Sequence, residues 1–351
     1  MYKLYGRYFA ALLLVLSSYL VIVLLSTNQH LAISVRSAHE LETVLSLTSI
    51  AIDGNYTPTE QHLTNTQLSF HSKEYPKPTV FNNSLSSFAS HFPRIMIIGF
   101  GKAGTKTLYE FLKYHPQLSG PETEMRFFSR HYDQGLESYL SSLPPPSHNG
   151  FVIEKSPDYV IVPEAAGRII ASADSLGIPV SKLKFVVMLR NPIDRAMSEY
   201  LEWKVQRYLR RESVLPGFDT LVTLETGELN LNIKFINTSC YAYHLRRWLK
   251  HFRAKQMCYA DGGAFISNPY QVIQKLESCL NLNPYFTEDN FVLNHKRGFY
   301  CFQDQSFNSH LHCMGESKGR PHPPIKKVVR DRLVEYFSEW DEALKNMTGI
   351  N

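Results

Sequence analysis

Apolar positions change their spacing several times along this chain, and each change predicts an element. Residues 8–25, YFAALLLVLSSYLVIVLL, form an uncharged run as long as a membrane-crossing helix needs. From residue 26 to 92 no helical or strand period persists, and Ser, Thr, Asn and His are abundant. One short helix is predicted there over residues 41–52, and Pro58, Pro76 and Pro78 break up the remainder of that stretch. Folded patterning begins near Pro93. Ile95 to Ile98 is a strand-length apolar run, and Leu108, Phe111 and Leu112 then fall at helical spacing, which predicts a helix over 105–114. Strands are predicted at 151–153, 183–189 and 257–259. Helices are predicted at 163–173, from Pro192 through Tyr208, at 241–252 and at 328–344. Strands alternating with helices imply an α/β domain, a central parallel sheet flanked by helices on both faces.

Charge placement orients the chain. Lys3 and Arg7 precede the apolar run, and no Lys or Arg follows until Arg36. The positive-inside rule therefore predicts a cytosolic tail at 1–7, a retained signal anchor at 8–25, a stem at 26–92 and a lumenal domain at 93–351. Hydrophobic residues at 44% and aromatics at 13% supply a sizeable core, and a net charge of +5 attracts polyanions only where it is clustered. N-x-[ST] sequons begin at Asn55, Asn82, Asn237 and Asn346, usable acceptors on a lumenal chain. The five cysteines include no C-x-x-C pair, which argues against zinc or thioredoxin-like chemistry. Cys301 and Cys313 bracket a polar segment that a disulfide would close in an oxidising lumen. The pairing of Cys240, Cys258 and Cys279 is left open, with at least one thiol unpaired or intermolecular.

Candidate chemistry concentrates between Arg94 and Leu108, RIMIIGFGKAGTKTL. A buried strand runs into a Gly-rich turn that carries Lys102 and then into a helix start, where free N–H groups and the helix dipole favour an anion. The loop is not the nucleotide-triphosphate P-loop, G-x-x-x-x-G-K-[ST]. Thr105 stands where the lysine belongs, and the strand at 183–189 ends in Arg190 where a magnesium-binding carboxylate would be needed. An anionic donor handled without a metal fits better than a kinase.

Six segments together resemble the Golgi heparan sulfate sulfotransferases, most closely the glucosaminyl 3-O-sulfotransferases: GFGKAGTKTL at 99–108, ETEMRFF at 122–128, IEKSPDY at 153–159, LRNPIDRAMSEY at 189–200, RGFYC at 297–301 and ESKGRPHP at 316–323. The resemblance implies the P-loop-like sulfotransferase fold. It also implies 3′-phosphoadenosine 5′-phosphosulfate (PAPS) as sulfuryl donor, no metal, and heparan sulfate as acceptor, with no nucleic-acid partner. Mapped onto this chain, the donor's 5′-phosphosulfate meets Lys102, Ala103, Gly104, Thr105 and Lys106. Its 3′-phosphate meets Arg190 and Ser198, the latter eight residues on, so that the intervening turn must fold it back. Tyr300 faces the nucleotide, and Lys318, Gly319 and Arg320 close over its phosphates. Glu124 maps onto the general base, and partial burial beside Phe127 and Phe128 is expected to raise its pKa. Lys102 and Lys155 are the implied catalytic lysines. Arg126, Arg130, Lys155, Lys204 and Arg207 are the candidate acceptor-binding cations. The chain departs from the family at Arg126, where His is common, and at Ser129, where an acidic residue is common. N- or other O-sulfation of another glycan is the alternative reading, and a catalytically inactive heparan sulfate binder a further one.

Overall fold

The structure, a computed structural model, describes residues 10–16, 19–26, 29–35, 88–296, 298–304, 311–315 and 321–350. The chain divides into two units, 1–73 and 74–351. In the first, β1 (Ala10–Leu16), β2 (Tyr19–Ser26) and β3 (Gln29–Val35) form an antiparallel sheet in that order. The helix expected over 8–25 is therefore not found, and among the described residues no helix is long and apolar enough to cross a membrane. Apart from Ser17 and Ser18 the run is apolar throughout and carries no period, so length alone does not separate helix from strand. The stem and its helix at 41–52 lie outside the described residues.

The second unit is an α/β fold. β4 (Ile95–Gly99) leads through the glycine loop into α1 (Thr105–Leu112) and then to a short edge strand, β5 (Leu118–Ser119). β6 (Phe151–Lys155), α2 (Ala165–Ser175), β7 (Lys184–Leu189), α3 (Pro192–Leu209), α4 (Tyr241–Leu249), β8 (Met257–Asp261) and α5 (Pro269–Leu280) follow. A small antiparallel sheet comes next, with β10 (Phe299–Gln303) between β9 (Phe291–Asn294) and β11 (Leu311–His312). Helix α6 (Lys327–Thr348) closes the chain.

The large sheet is parallel throughout, in the order β5-β6-β4-β7-β8. Every residue of β4 is buried, as are Phe185 to Leu189 of β7. Strands covered on both faces read as continuous apolar runs, which is why these two were legible. From β4 the chain moves to β5 and β6 on one side, and from β6 it crosses to β7 on the other. The carboxyl ends of β6, β4 and β7 therefore border a topological switch point, where open α/β sheets bind ligands.

Packing fixes these ends. Phe185 meets Trp248 edge to face at 5.3 Å, and the Trp248 indole N–H donates to the carbonyl of Val160 at 3.1 Å. Phe302 of β10 stacks on Tyr114 at 4.1 Å, tying the small sheet to the end of α1. A second apolar cluster holds α3 against α6 through Ile193, Met197, Tyr200, Phe235, Leu333 and Phe337. Each large apolar side chain so buried contributes about 1.5–3 kcal/mol.

Two disulfides are present, Cys301–Cys313 and Cys258–Cys279, and Cys240 is a buried free thiol beside the Tyr336 hydroxyl. The second bridge ties β8 to α5, a helix not foreseen although Asn268 caps it and Pro269 opens it. Replacing both Cys258 and Cys279 by Ala reopens a loop with a sequence separation of 21. It is expected to cost about 3 kcal/mol, read as a lower midpoint in urea unfolding.

Candidate active site

Three strand ends build the site. Beyond β4 the chain turns through Lys102 at φ +70° and Gly104 at φ +112° before α1 begins. Gly104 suits this turn by its positive φ, and a Cβ there would also press on the end of the Met188 side chain, with Cε at 3.1 Å. No side chain caps α1 among the described residues, so its first N–H groups and the positive end of its dipole face outward as an anion cradle. Ala103 and Thr105 are buried, the Lys106 side chain is exposed, and the Ala103 N–H donates to the carbonyl of Phe100 at 3.1 Å. The Phe100 N–H donates to the carbonyl of Met188 at 3.0 Å and locks the loop to β7.

A second clamp was not read from the sequence. Arg195 is fully buried. Its guanidinium donates to the carbonyl of Gly101 at 3.2 Å, to Glu199 at 2.6 Å, to Ser239 Oγ at 2.7 Å and to the carbonyl of Phe235. Its position one helical turn before Glu199 was the available signal. Further along α3, Glu202 stands 3.5 Å from the Lys102 ammonium.

β6 ends in Lys155, only 6% exposed, whose ammonium hydrogen-bonds Glu124 Oε1. Arg126 donates to the other oxygen through Nε at 2.9 Å. Burial alone would lift the Glu124 carboxyl, but the Lys155 and Arg126 hydrogen bonds and charges outweigh it and hold the pKa below the usual carboxylate range. This corrects the expected rise, which took Phe127 and Phe128 into account but not the two cations. Arg126, at φ +50°, is thus committed to Glu124. Glu122 lies out in solvent with Lys113.

Arg190 follows β7 directly, and its carbonyl accepts from the Tyr241 hydroxyl at 2.9 Å. The Asn191 side chain accepts the N–H groups of Ile193 and Asp194 and starts α3 at once. Ser198 sits on α3 itself, about 9 Å along the axis from Pro192. His322 lies 3.7 Å from Asp194, which brings the stretch after 316–320 to this strand end. Lys318, Gly319 and Arg320 fall outside the described residues. Tyr300 is partly buried on β10.

Among the remaining acceptor candidates, Arg130 pairs with Asp158 at 3.2 Å and Lys204 is exposed. Arg207 bonds Ser213 and pairs with Glu212 at the end of α3.

The arrangement is an anion cradle at the end of β4, with a cation at the end of β7 on one side and a carboxylate gripped by lysine and arginine at the end of β6 on the other. The family described as "Sulfotransferase domain" matches residues 92–345. A sulfotransferase from Alicyclobacillus acidocaldarius shares the fold at 19% identity and a TM-score of 0.52, covering 74% of this chain and 96% of that one. Human heparan sulfate glucosamine 3-O-sulfotransferase 3B1 is 32% identical over 79% of this chain and 69% of its own length. Human heparan sulfate glucosamine 3-O-sulfotransferase 5 is 33% identical over 76% of this chain and 75% of its own. The chain belongs to the heparan sulfate glucosamine 3-O-sulfotransferase family.

Two outcomes are expected from this geometry. Arg195→Met leaves the Glu199 carboxylate without its cation, and unfolding should show a loss of about 3–5 kcal/mol. Lys155→Met should raise the Glu124 titration, followed by carbon-13 NMR of the carboxyl, because burial then opposes arginine alone. The depressed Glu124 pKa stabilises the fold at neutral pH. That contribution is lost as pH falls through the folded pKa, below the usual carboxylate range.

Proposed function

We propose that this chain transfers the sulfuryl group of PAPS to the 3-hydroxyl of glucosamine residues in heparan sulfate. The observation that carries the reading is Glu124 held by Lys155 at the end of β6, next to the strand whose end forms the anion cradle. Membership of a family whose relatives are named for this reaction supports the same conclusion.

The residues fit the donor. Lys102 and the backbone of Ala103, Gly104, Thr105 and Lys106 would hold the 5′-phosphosulfate, with Arg190 and Ser198 at the 3′-phosphate. Tyr300 and the Lys318–Gly319–Arg320 stretch would complete the nucleotide end. The donor supplies an activated sulfuryl group on a phosphate leaving group. Glu124 takes the proton of the acceptor hydroxyl as its oxygen bonds to sulfur. Lys102 and Lys155 offset the negative charge that gathers on the bridging oxygen as the sulfur–oxygen bond to phosphate breaks.

Electrostatics makes the order of events sensible. With Lys155 and Arg126 both on its carboxyl, Glu124 is a weak base. An anionic donor draws Lys155 away, and burial then raises the basicity of Glu124 at the moment a proton acceptor is needed. Arg130 and Lys204 would meet the sulfates and carboxylates of the polysaccharide, with Arg207 more remote.

The N-terminal run supports a tether in the Golgi membrane with the catalytic unit lumenal. Its length suffices for a helix, whereas strands of seven and eight residues are shorter than a bilayer requires of a strand. In lipid, backbone satisfaction would favour the helix.

Glu124→Gln keeps the side chain's shape and removes its basicity. It should lower the transfer rate from labelled PAPS by roughly a hundredfold or more with donor affinity retained. An undiminished rate would remove Glu124 from the mechanism.

A further inference from the structure

Behind Lys155 lies a group that the reaction as described does not use. Glu154 is the residue before it on β6, and both Glu154 and Ser156 are completely buried. Strand alternation sends Glu154 to the face opposite Lys155. The Ser156 hydroxyl donates to Glu154 Oε1 and accepts the backbone N–H of Arg126 at 2.8 Å. Two residues on, the Phe128 N–H meets the Tyr159 hydroxyl at 3.4 Å, and that phenol is a neighbour of the same carboxyl. The Ser156 N–H is in turn fixed to the carbonyl of Ile97 on β4 at 3.2 Å.

These bonds close a ring. Arg126 is gripped at its backbone by Ser156, and its side chain grips Glu124, whose other oxygen is held by Lys155, the residue before Ser156. A serine hydroxyl has one proton to give. Giving it to Glu154 turns the oxygen's lone pairs toward the Arg126 N–H. Arg126 also occupies the left-handed region at φ +50°, a conformation that a non-glycine residue keeps when its surroundings hold it there. Burial pushes the Glu154 carboxyl up to about 7, against the Ser156 hydrogen bond. A completely buried carboxyl in a central strand costs stability, so a role at the site accounts for its presence better than packing does.

We propose that Glu154 is a positioning residue for the transfer: through the Ser156 hydroxyl it fixes the Arg126 backbone and so sets the distance between Glu124 and Lys155. The catalytic part of this inference rests on Glu124 being the base. The segment stays docked without Ser156, because Arg168 also holds the carbonyl of Phe128 at 2.8 Å.

The test uses the full chain with Ser156→Ala, Glu154→Leu and Glu154→Gln. Ser156→Ala should lower kcat about tenfold or more with the donor KM nearly unchanged, since small misplacements of reacting groups are costly. Its amide exchange across residues 122–130 should quicken. Glu154→Leu should do the same if it folds. Glu154→Gln, whose amide oxygen still accepts from Ser156, should restore most of kcat and the exchange protection. Wild-type kcat and exchange in Ser156→Ala would overturn the proposal, and so would a Glu154→Gln as impaired as Glu154→Leu. Glu124→Gln measured alongside separates the two ideas. Full activity there removes the base assignment, while the exchange data still decide whether Ser156 holds the loop.

Discussion

The ion pair between Lys155 and Glu124 is the interaction around which the site is arranged. Lys155 is buried because it ends a strand in the middle of a covered parallel sheet, opposite Ile97 of β4. A buried ammonium needs a compensating charge, and the turn bearing Glu124 supplies it. The fold therefore brings a carboxylate to the edge of β6, while the neighbouring strand delivers the anion cradle. On the proposed mechanism, this same contact comes apart when the donor's anion competes for the lysine.

That competition links the electrostatics to the chemistry. Lys102 shows the same pattern on the other wall, sharing its charge with Glu202 of α3. Lys102 and Lys155, the two lysines proposed for catalysis, are thus each paired with a carboxylate. Arg126 holds the other oxygen of Glu124, so the proposed base is gripped by a permanent cation. Beneath these charges, the fully buried Arg195 holds the carbonyls of Gly101 and Phe235, and the fully buried Glu154 accepts from the Ser156 hydroxyl that in turn accepts the Arg126 N–H.

Much of this was legible in the sequence. The apolar runs at Ile95–Ile98 and Phe185–Leu189 read as central strands because burial on both faces leaves no polar interruption. The glycine loop read as an anion site because Gly104 and Lys102 sit between a strand and a helix start. Other features depend on contacts that no local pattern encodes. The fall in the Glu124 pKa needs Lys155, 31 residues away. Arg195 reads as one more charge on an amphipathic helix until Gly101, Phe235 and Ser239 close around it. Arg207 has the right spacing for a groove but folds onto its own helix end. In the N-terminal run, length alone predicted a helix where the structure has strands.

The central claim is that a carboxylate held by lysine beside an anion cradle performs sulfuryl transfer to one particular hydroxyl. Disaccharide mapping of heparan sulfate labelled from radioactive PAPS by this chain tests it most directly. Label on the glucosamine 3-hydroxyl is the predicted result. Label confined to the nitrogen or to another hydroxyl, or no label despite donor binding, would contradict it.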